Sequence, residues 1–176
     1  MRVVIGLGNP GGEYEQTRHN LGYEVVDAVA AWAGIAFREG SGDFLIAAGS
    51  VAGKSFRLVK PLTYMNNSGQ AALELVETLS LGLEDLLVVV DDFHLPLGVL
   101  RLRRRGSSGG HNGLSSVISS LQSEEFPRLR CGIGRSGRPP ARGEVVEFVL
   151  SRFSPEEERE TAAMILNARD AVLAAI

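Results

Sequence analysis

Proton transfer near neutral pH is the chemistry this chain is best equipped for. His19 lies in residues 6–22, GLGNPGGEYEQTRHNLG, a glycine-rich loop that leaves the short apolar run Val3, Val4, Ile5 and carries Asn9 at its start. Asp91 and Asp92 close a second apolar run, residues 86–90, and His111 and Asn112 close the loop 106–110. Tyr64, Met65 and Asn66 sit between Lys60-Pro61 and a helical pattern. Histidine beside a carboxylate is the minimal general-base pair, because the carboxylate fixes the tautomer and stabilises the imidazolium formed on taking a proton. Asparagine adds a neutral donor for an oxyanion. The chain has no G-x-S-x-G elbow, no H-E-x-x-H and no clustered metal-ligand spacing, which disfavours a serine esterase or a zinc hydrolase. What remains is a histidine-activated water attacking a reactive carbonyl such as an ester.

Plainer readings compete at several positions. Gly6, Gly8 and Gly11 match G-x-G-x-x-G formally, but Pro10 interrupts the pattern and residues 13–20 carry no helical stripe, so a dinucleotide site is disfavoured. Asn67 reads as a turn or cap residue, a reading equally open for Asn9, while His94 reads as a loop residue and Met65 as core. Asp92 has the simple alternative of terminating its strand, and His111 that of orienting the glycine loop through a hydrogen bond. Cys131, the one cysteine, reads as a buried thiol in a strand.

The elements that must position these groups follow from periodicity. With 176 residues, 44% of them apolar, the chain has the size of one α/β domain spanning 1–176. Residues 22–33 read as an amphipathic helix, 44–52 and 55–59 as strands joined by Gly53-Lys54, and 69–79 as a helix with Ser68 at its N-cap. Residues 86–90 read as a central strand, 99–105 as a strand with one basic face, 114–121 as a helix capped at or near Asn112, and 128–133 as a strand. Residues 139–143 read as a loop, 145–150 as a short apolar run, and Ser154-Pro155-Glu156-Glu157 as a capping box before a closing helix with Ile165, Leu166, Val172, Leu173 and Ile176 as its stripe. In an open α/β sheet, the four polar clusters at element ends converge on one crevice.

Net charge is only −3, yet residues 101–142 hold nine arginines against Glu124 and Glu125, a local +7, leaving 9 basic and 19 acidic residues elsewhere. Such asymmetry predicts a basic face suited to a polyanion on an otherwise acidic body. A leader or membrane-spanning pattern is not seen, so the expected location is cytoplasmic.

Along essentially its whole length the chain resembles bacterial peptidyl-tRNA hydrolase, through GLGNPGGEYEQTRHNLGY (6–23), KPLTYMNNSG (60–69), VVDDFHLPLG (89–98), GSSGGHNGL (106–114) and FPRLRCGIGR (126–135). The resemblance implies a monomeric, metal-free and cofactor-free three-layer α/β/α sandwich with a mixed, mostly parallel sheet. It further implies cleavage of the ester joining a peptide to the 3′ ribose of tRNA, with the acceptor stem and 3′ end as partner. The family's base matches His19 and its supporting acid Asp91. Its substrate-contacting asparagines match Asn9, Asn66 and Asn112, its aromatic contacts Tyr14 and Tyr64, and its phosphate clamp Arg103 and Arg130; Met65 and His111 fall within the same motifs. The family often has Asp where this chain has His94, and His where it has Ser108. The closing helix ends at Ile176, a little earlier than in the family. A non-catalytic RNA-binding relative, of the kind represented by chloroplast splicing factors, would be favoured by loss of His19 or Asp91, and both are present.

Overall fold

In the computed structural model, which describes residues 1–135, 140–141 and 143–176, seven strands form one sheet in the order β2-β3-β4-β1-β5-β7-β6. The strands are β1 (Arg2–Gly6), β2 (Arg38–Glu39), β3 (Phe44–Val51), β4 (Lys54–Pro61), β5 (Leu86–Pro96), β6 (Leu100–Arg103) and β7 (Arg128–Gly134). The pairs β4–β1, β1–β5 and β5–β7 are parallel and the outer pairs antiparallel, so five of the seven strands run one way. The central β1 and β5 are continuous apolar runs because helices cover both faces.

Alternation along β1 divides the core. Val4 joins the layer of α1 (Leu21–Ala33) and α5 (Glu158–Ala175), while Val3 and Ile5 face α2 (Ser68–Leu79) and α3 (Asn112–Leu121). A short α4 (Val145–Leu150) lies on the α1 side through Phe148 and Val149. The expected three-layer α/β/α arrangement with a mixed, mostly parallel sheet is therefore present. No helix among the described residues is long and apolar enough to cross a membrane.

Local departures have identifiable causes. The β3–β4 hairpin turns at Ala52-Gly53, not Gly53-Lys54, with φ of 48° and 79°, the pair of positive values that a tight primed turn demands. α2 begins at Ser68 with Asn67 as its N-cap; the Ser68 hydroxyl donates to the Met65 carbonyl at 2.8 Å. β5 runs on to Pro96, past the two aspartates, because β7 also continues and pairs again after a register shift; His94 is thus an exposed strand residue. β6 is confined to four residues, and the 145–150 run is helical. In α5 the buried positions are Thr161, Met164, Ala168 and Val172, whereas Leu166 is 48% exposed. Half of the expected capping box forms: the Ser154 N–H donates to Glu157 Oε2 at 2.8 Å, while α5 starts at Glu158, three residues after Pro155. In the expected 139–143 loop, Pro139 and Arg142 lie outside the described residues.

Candidate active site

The crevice is built where β1, β4, β5 and β7 release the chain at one sheet edge. After β1, Leu7 continues the ladder to the Val89 carbonyl at 3.0 Å, and the loop then makes two turns of 3₁₀ helix, Gly12–Tyr14 and Arg18–Asn20, before α1. A Cβ on Gly22 would lie 2.5 Å from the Leu7 nitrogen, and one on Gly6 would meet the Gly22 carbonyl. Gly6 is thus required by strand–helix contact, Gly8 by the Tyr23 ring that a Cβ would meet, and Gly11 by its φ of 112°, so each glycine of the formal G-x-G-x-x-G match has a local structural reason.

Two histidines meet one carboxylate oxygen. His19 Nδ1 lies 2.8 Å and His111 Nε2 2.9 Å from Asp91 Oδ1, and all three side chains are buried. The sequence placed His111 beside α3; the structure makes it the N-cap, with Nδ1 accepting the Leu114 N–H at 3.1 Å. An Nδ1 that accepts carries no proton, so His111 is the Nε2–H tautomer and donates to Asp91. His19 donates through Nδ1–H, which leaves Nε2 as the lone pair available at the crevice. Burial opposes charge on His19, but the adjacent Asp91 charge and hydrogen bond outweigh it and raise the His19 pKa. Burial works against ionised Asp91 as well, and the two histidines overcome it, holding the carboxyl well below its usual range.

His19, Asp91 and His111 form a group whose ligand atoms lie within 4.8 Å of one another, close enough to be tested as a metal site. The two contacts to Asp91 have hydrogen-bond spacing, whereas ligands about 2.0–2.1 Å from a tetrahedral ion stand about 3.3 Å apart. The donor set as arranged fits shared protons better than a cation.

Asn9 is held from both sides. Its N–H donates to Asn20 Oδ1 at 2.8 Å, Asn20 Nδ2 donates back to its carbonyl at 2.9 Å, and its own Oδ1 accepts the Met65 N–H at 2.8 Å. With Oδ1 so engaged, the Asn9 amide group has no partner among the described residues and is free to donate. Met65 itself is buried in the α2/α3 core, so its link to the site is that backbone N–H. Tyr64, 59% exposed, meets Tyr14 edge-to-face with ring centroids 6.3 Å apart; Asn66 and Asn112 are exposed on the neighbouring loop ends.

Three contributors escaped the sequence reading: Asn20, Arg18 and Arg128. Arg18, next to His19, is buried with its guanidinium 4.6 and 4.5 Å from the rings of Phe148 and Phe153; it donates to Glu157 at 2.6 Å and to the Ser151 hydroxyl at 3.3 Å. Its N–H also donates to the Ser151 carbonyl at 3.0 Å, so the turn bearing His19 is fastened to the end of α4. Residues Val145, Val146 and Val149 of that helix give the crevice an apolar wall opposite His111 and the 108–110 loop. Arg128 is buried and donates to the carbonyls of Phe126 and Glu124, at 3.0 and 3.1 Å, and to Gly106, which fixes the start of that loop. Arg103 and Arg130 lie on the same face of adjacent strands, and Arg130 is paired with Asp92. A roomier hollow between β3, β4 and α2 is lined by Arg38, Arg57, Phe44 and Leu75, but no histidine faces it, so the proton chemistry belongs to the strand-end crevice.

Comparison with known proteins gives a consistent family. The model of the family described as peptidyl-tRNA hydrolase matches residues 3–176. A peptidyl-tRNA hydrolase of Aquifex aeolicus is 47% identical over 178 residues, covering 100% of this chain and 90% of that one. One from Geobacillus kaustophilus is 45% identical, covering 97% and 90%. The crystal structure of the peptidyl-tRNA hydrolase from Acinetobacter baumannii superposes with a TM-score of 0.86 at 32% identity, covering 99% of this chain and 92% of that one. A 5′-methylthioadenosine nucleosidase from Arabidopsis thaliana, 9% identical with a TM-score of 0.55 over 99% and 96% of the two chains, shares the fold alone.

Proposed function

Since the chain belongs to the peptidyl-tRNA hydrolase family, whose enzymes cleave the ester bond of peptidyl-tRNA, we propose that His19 is the general base for that hydrolysis, with Asp91 as its orienting acid and Asn9 as its oxyanion donor. The observation that carries the reading is the Asp91 oxygen shared by two histidines, which leaves His19 Nε2 free to act.

Nε2 takes a proton from water while the water oxygen bonds to the ester carbonyl carbon. Negative charge moves to the carbonyl oxygen, where the free Asn9 amide donates a hydrogen bond. Collapse breaks the bond to the ribose 3′ oxygen, which leaves with the proton held by the His19 imidazolium. Free peptide and tRNA result, with no covalent enzyme intermediate. Asn66, Asn112, Tyr14 and Tyr64 rim the crevice as contacts for the peptide and the 3′ end. Arg103 and Arg130 take tRNA phosphate, since a guanidinium fork donates two parallel hydrogen bonds while keeping its charge.

One copy of the chain supplies every group named, so the reading needs no second subunit, cofactor or metal. It assigns the protein to a cytoplasmic role, returning tRNA from stalled or aborted translation. The test is release of peptide from N-blocked aminoacyl-tRNA by the purified protein in EDTA. Turnover is expected to persist with chelator and to fall by about 10² to 10⁴ in His19→Ala, the usual worth of a positioned base. Normal turnover in the variant, or loss in EDTA restored by zinc, would contradict it.

A further inference from the structure

β5 sends consecutive carboxylates to opposite faces of the sheet. Leu87 and Val89 belong to the α1/α5 layer and are followed in phase by Asp91; Val88 and Val90 belong to the α2/α3 layer and are followed by Asp92. On β7, Leu129 and Cys131 point to the first layer, so Arg128 and Arg130 point to the second. There β6 sets Arg101 opposite Arg130 and Arg103 opposite Arg128.

These four arginines differ in what they hold. Arg128 is buried and spent on carbonyls. Arg101 and Arg103 are exposed and make no salt bridge among the described residues. Arg130 alone of the four forms a salt bridge among the described residues: its Nη1 lies 3.0 Å from Asp92 Oδ2, its Nη2 donates to the Ser107 carbonyl at 2.9 Å, and the two paired side chains are 16% and 6% exposed. The other Asp92 oxygen accepts the His94 N–H at 2.9 Å, which pins the carboxylate in place.

We propose that Asp92 is an internal counter-anion for Arg130: a positioning residue that occupies, in the free protein, the charge a tRNA phosphate takes over on docking. This rests on the reading that Arg130 contacts phosphate. Two of the five guanidinium N–H donors are in use, so a phosphate can still reach the fork, but it arrives beside a fixed carboxylate. Part of its attraction is cancelled there. The consequence is a lower affinity for tRNA than the arginines alone would give, most useful after hydrolysis, when deacylated tRNA must leave a basic surface.

The experiment is binding of deacylated tRNA across a salt series to the full chain and to Asp92→Asn, Arg130→Ala and the double variant, with Asp92→Ser as a second substitution should the first fold poorly. Asp92→Asn is expected to tighten binding about threefold to tenfold at low salt, the worth of one partly screened charge contact. Its log-log salt slope should steepen by up to about one, because a guanidinium without its acid releases a further counterion's worth of charge. In the Arg130→Ala background the Asp92 substitution should change neither quantity. Weaker or unchanged binding in both Asp92 variants, with Arg130→Ala still flattening the slope, overturns this proposal and leaves the phosphate contact standing. An unchanged slope in Arg130→Ala removes the phosphate contact and the proposal with it.

Discussion

Oδ1 of Asp91 receives His111 at 2.9 Å through Nε2, and the opposite nitrogen of that ring starts a helix. One imidazole thus joins the acid of the site to the N-terminus of α3. His111→Ala removes both bonds. Turnover should fall by about tenfold to a hundredfold, less than for His19→Ala, and stability by about 1 kcal/mol, the typical cost of a lost N-cap. Parallel assays of peptide release and thermal unfolding would check this; an unchanged melting curve would separate the cap from the fold.

The pH profile should follow the raised pKa of His19. A base works when neutral, so activity should climb with pH through a midpoint above the ordinary histidine value of about 6.5. Asp91→Asn removes the charge that favours the imidazolium and should move the midpoint down. The stability linkage has opposite signs for the two partners. The contribution of His19 is complete below its unfolded pKa and fades as pH rises through the folded one. That of Asp91 is present above its unfolded pKa and fades only as pH falls toward its depressed folded value. Titrating kcat/KM and unfolding free energy on the same samples tests both.

Asn9→Asp keeps an oxygen for the Met65 N–H but replaces the free amide with a second acceptor. Removal of one oxyanion donor commonly costs about 10² to 10³ in kcat, and that loss is expected here with tRNA affinity little changed. Asn20→Ala, which frees the Asn9 backbone on both sides, should give a smaller loss of the same kind. Single-turnover kinetics beside equilibrium binding would distinguish this from a weakened complex.

Arg18→Met should be the most damaging change away from the reacting groups, because it leaves Glu157 without its cation and removes the guanidinium that stacks on the Phe148 and Phe153 rings. Breaking a buried pair costs about 3–5 kcal/mol, and the partial exposure of Glu157 places this one near 3. Glu157→Gln, which retains a hydrogen-bond acceptor for Arg18, should cost less. Denaturant titration of both variants, with the double variant to complete the cycle, would measure the coupling.

The layers and the strand ends were legible because they are written in local periodicity: Val3 to Ile5, the 86–90 run and the 22–33 stripe each declare their element within a few residues. Asp91 was placed for the same reason. Contacts that join distant segments left no local trace. Arg18 meets Ser151 and Glu157 across more than a hundred positions, and its sequence neighbours give no sign that a guanidinium is buried there. The Asn9–Asn20 exchange depends on the intervening loop folding back, and the helical state of 145–150 is shorter than any period can reveal. β5 ran past its expected end because pairing with β7, not composition, decides where a strand stops.

β6 has a meaning apart from the proposed phosphate contact. It is one of the two edge strands, with one flank hydrogen-bonded to β7 and no strand on the other among the described residues, the geometry that invites a second chain to extend a sheet. Only four residues long, it presents Arg101 and Arg103 on one side, and the chain continues directly into Arg104 and Arg105. A second copy pairing edge to edge would bring these cations against their own kind. The charge pattern suited to a polyanion therefore also keeps an exposed edge, carrying a half-exposed Leu102, from becoming a template for aggregation.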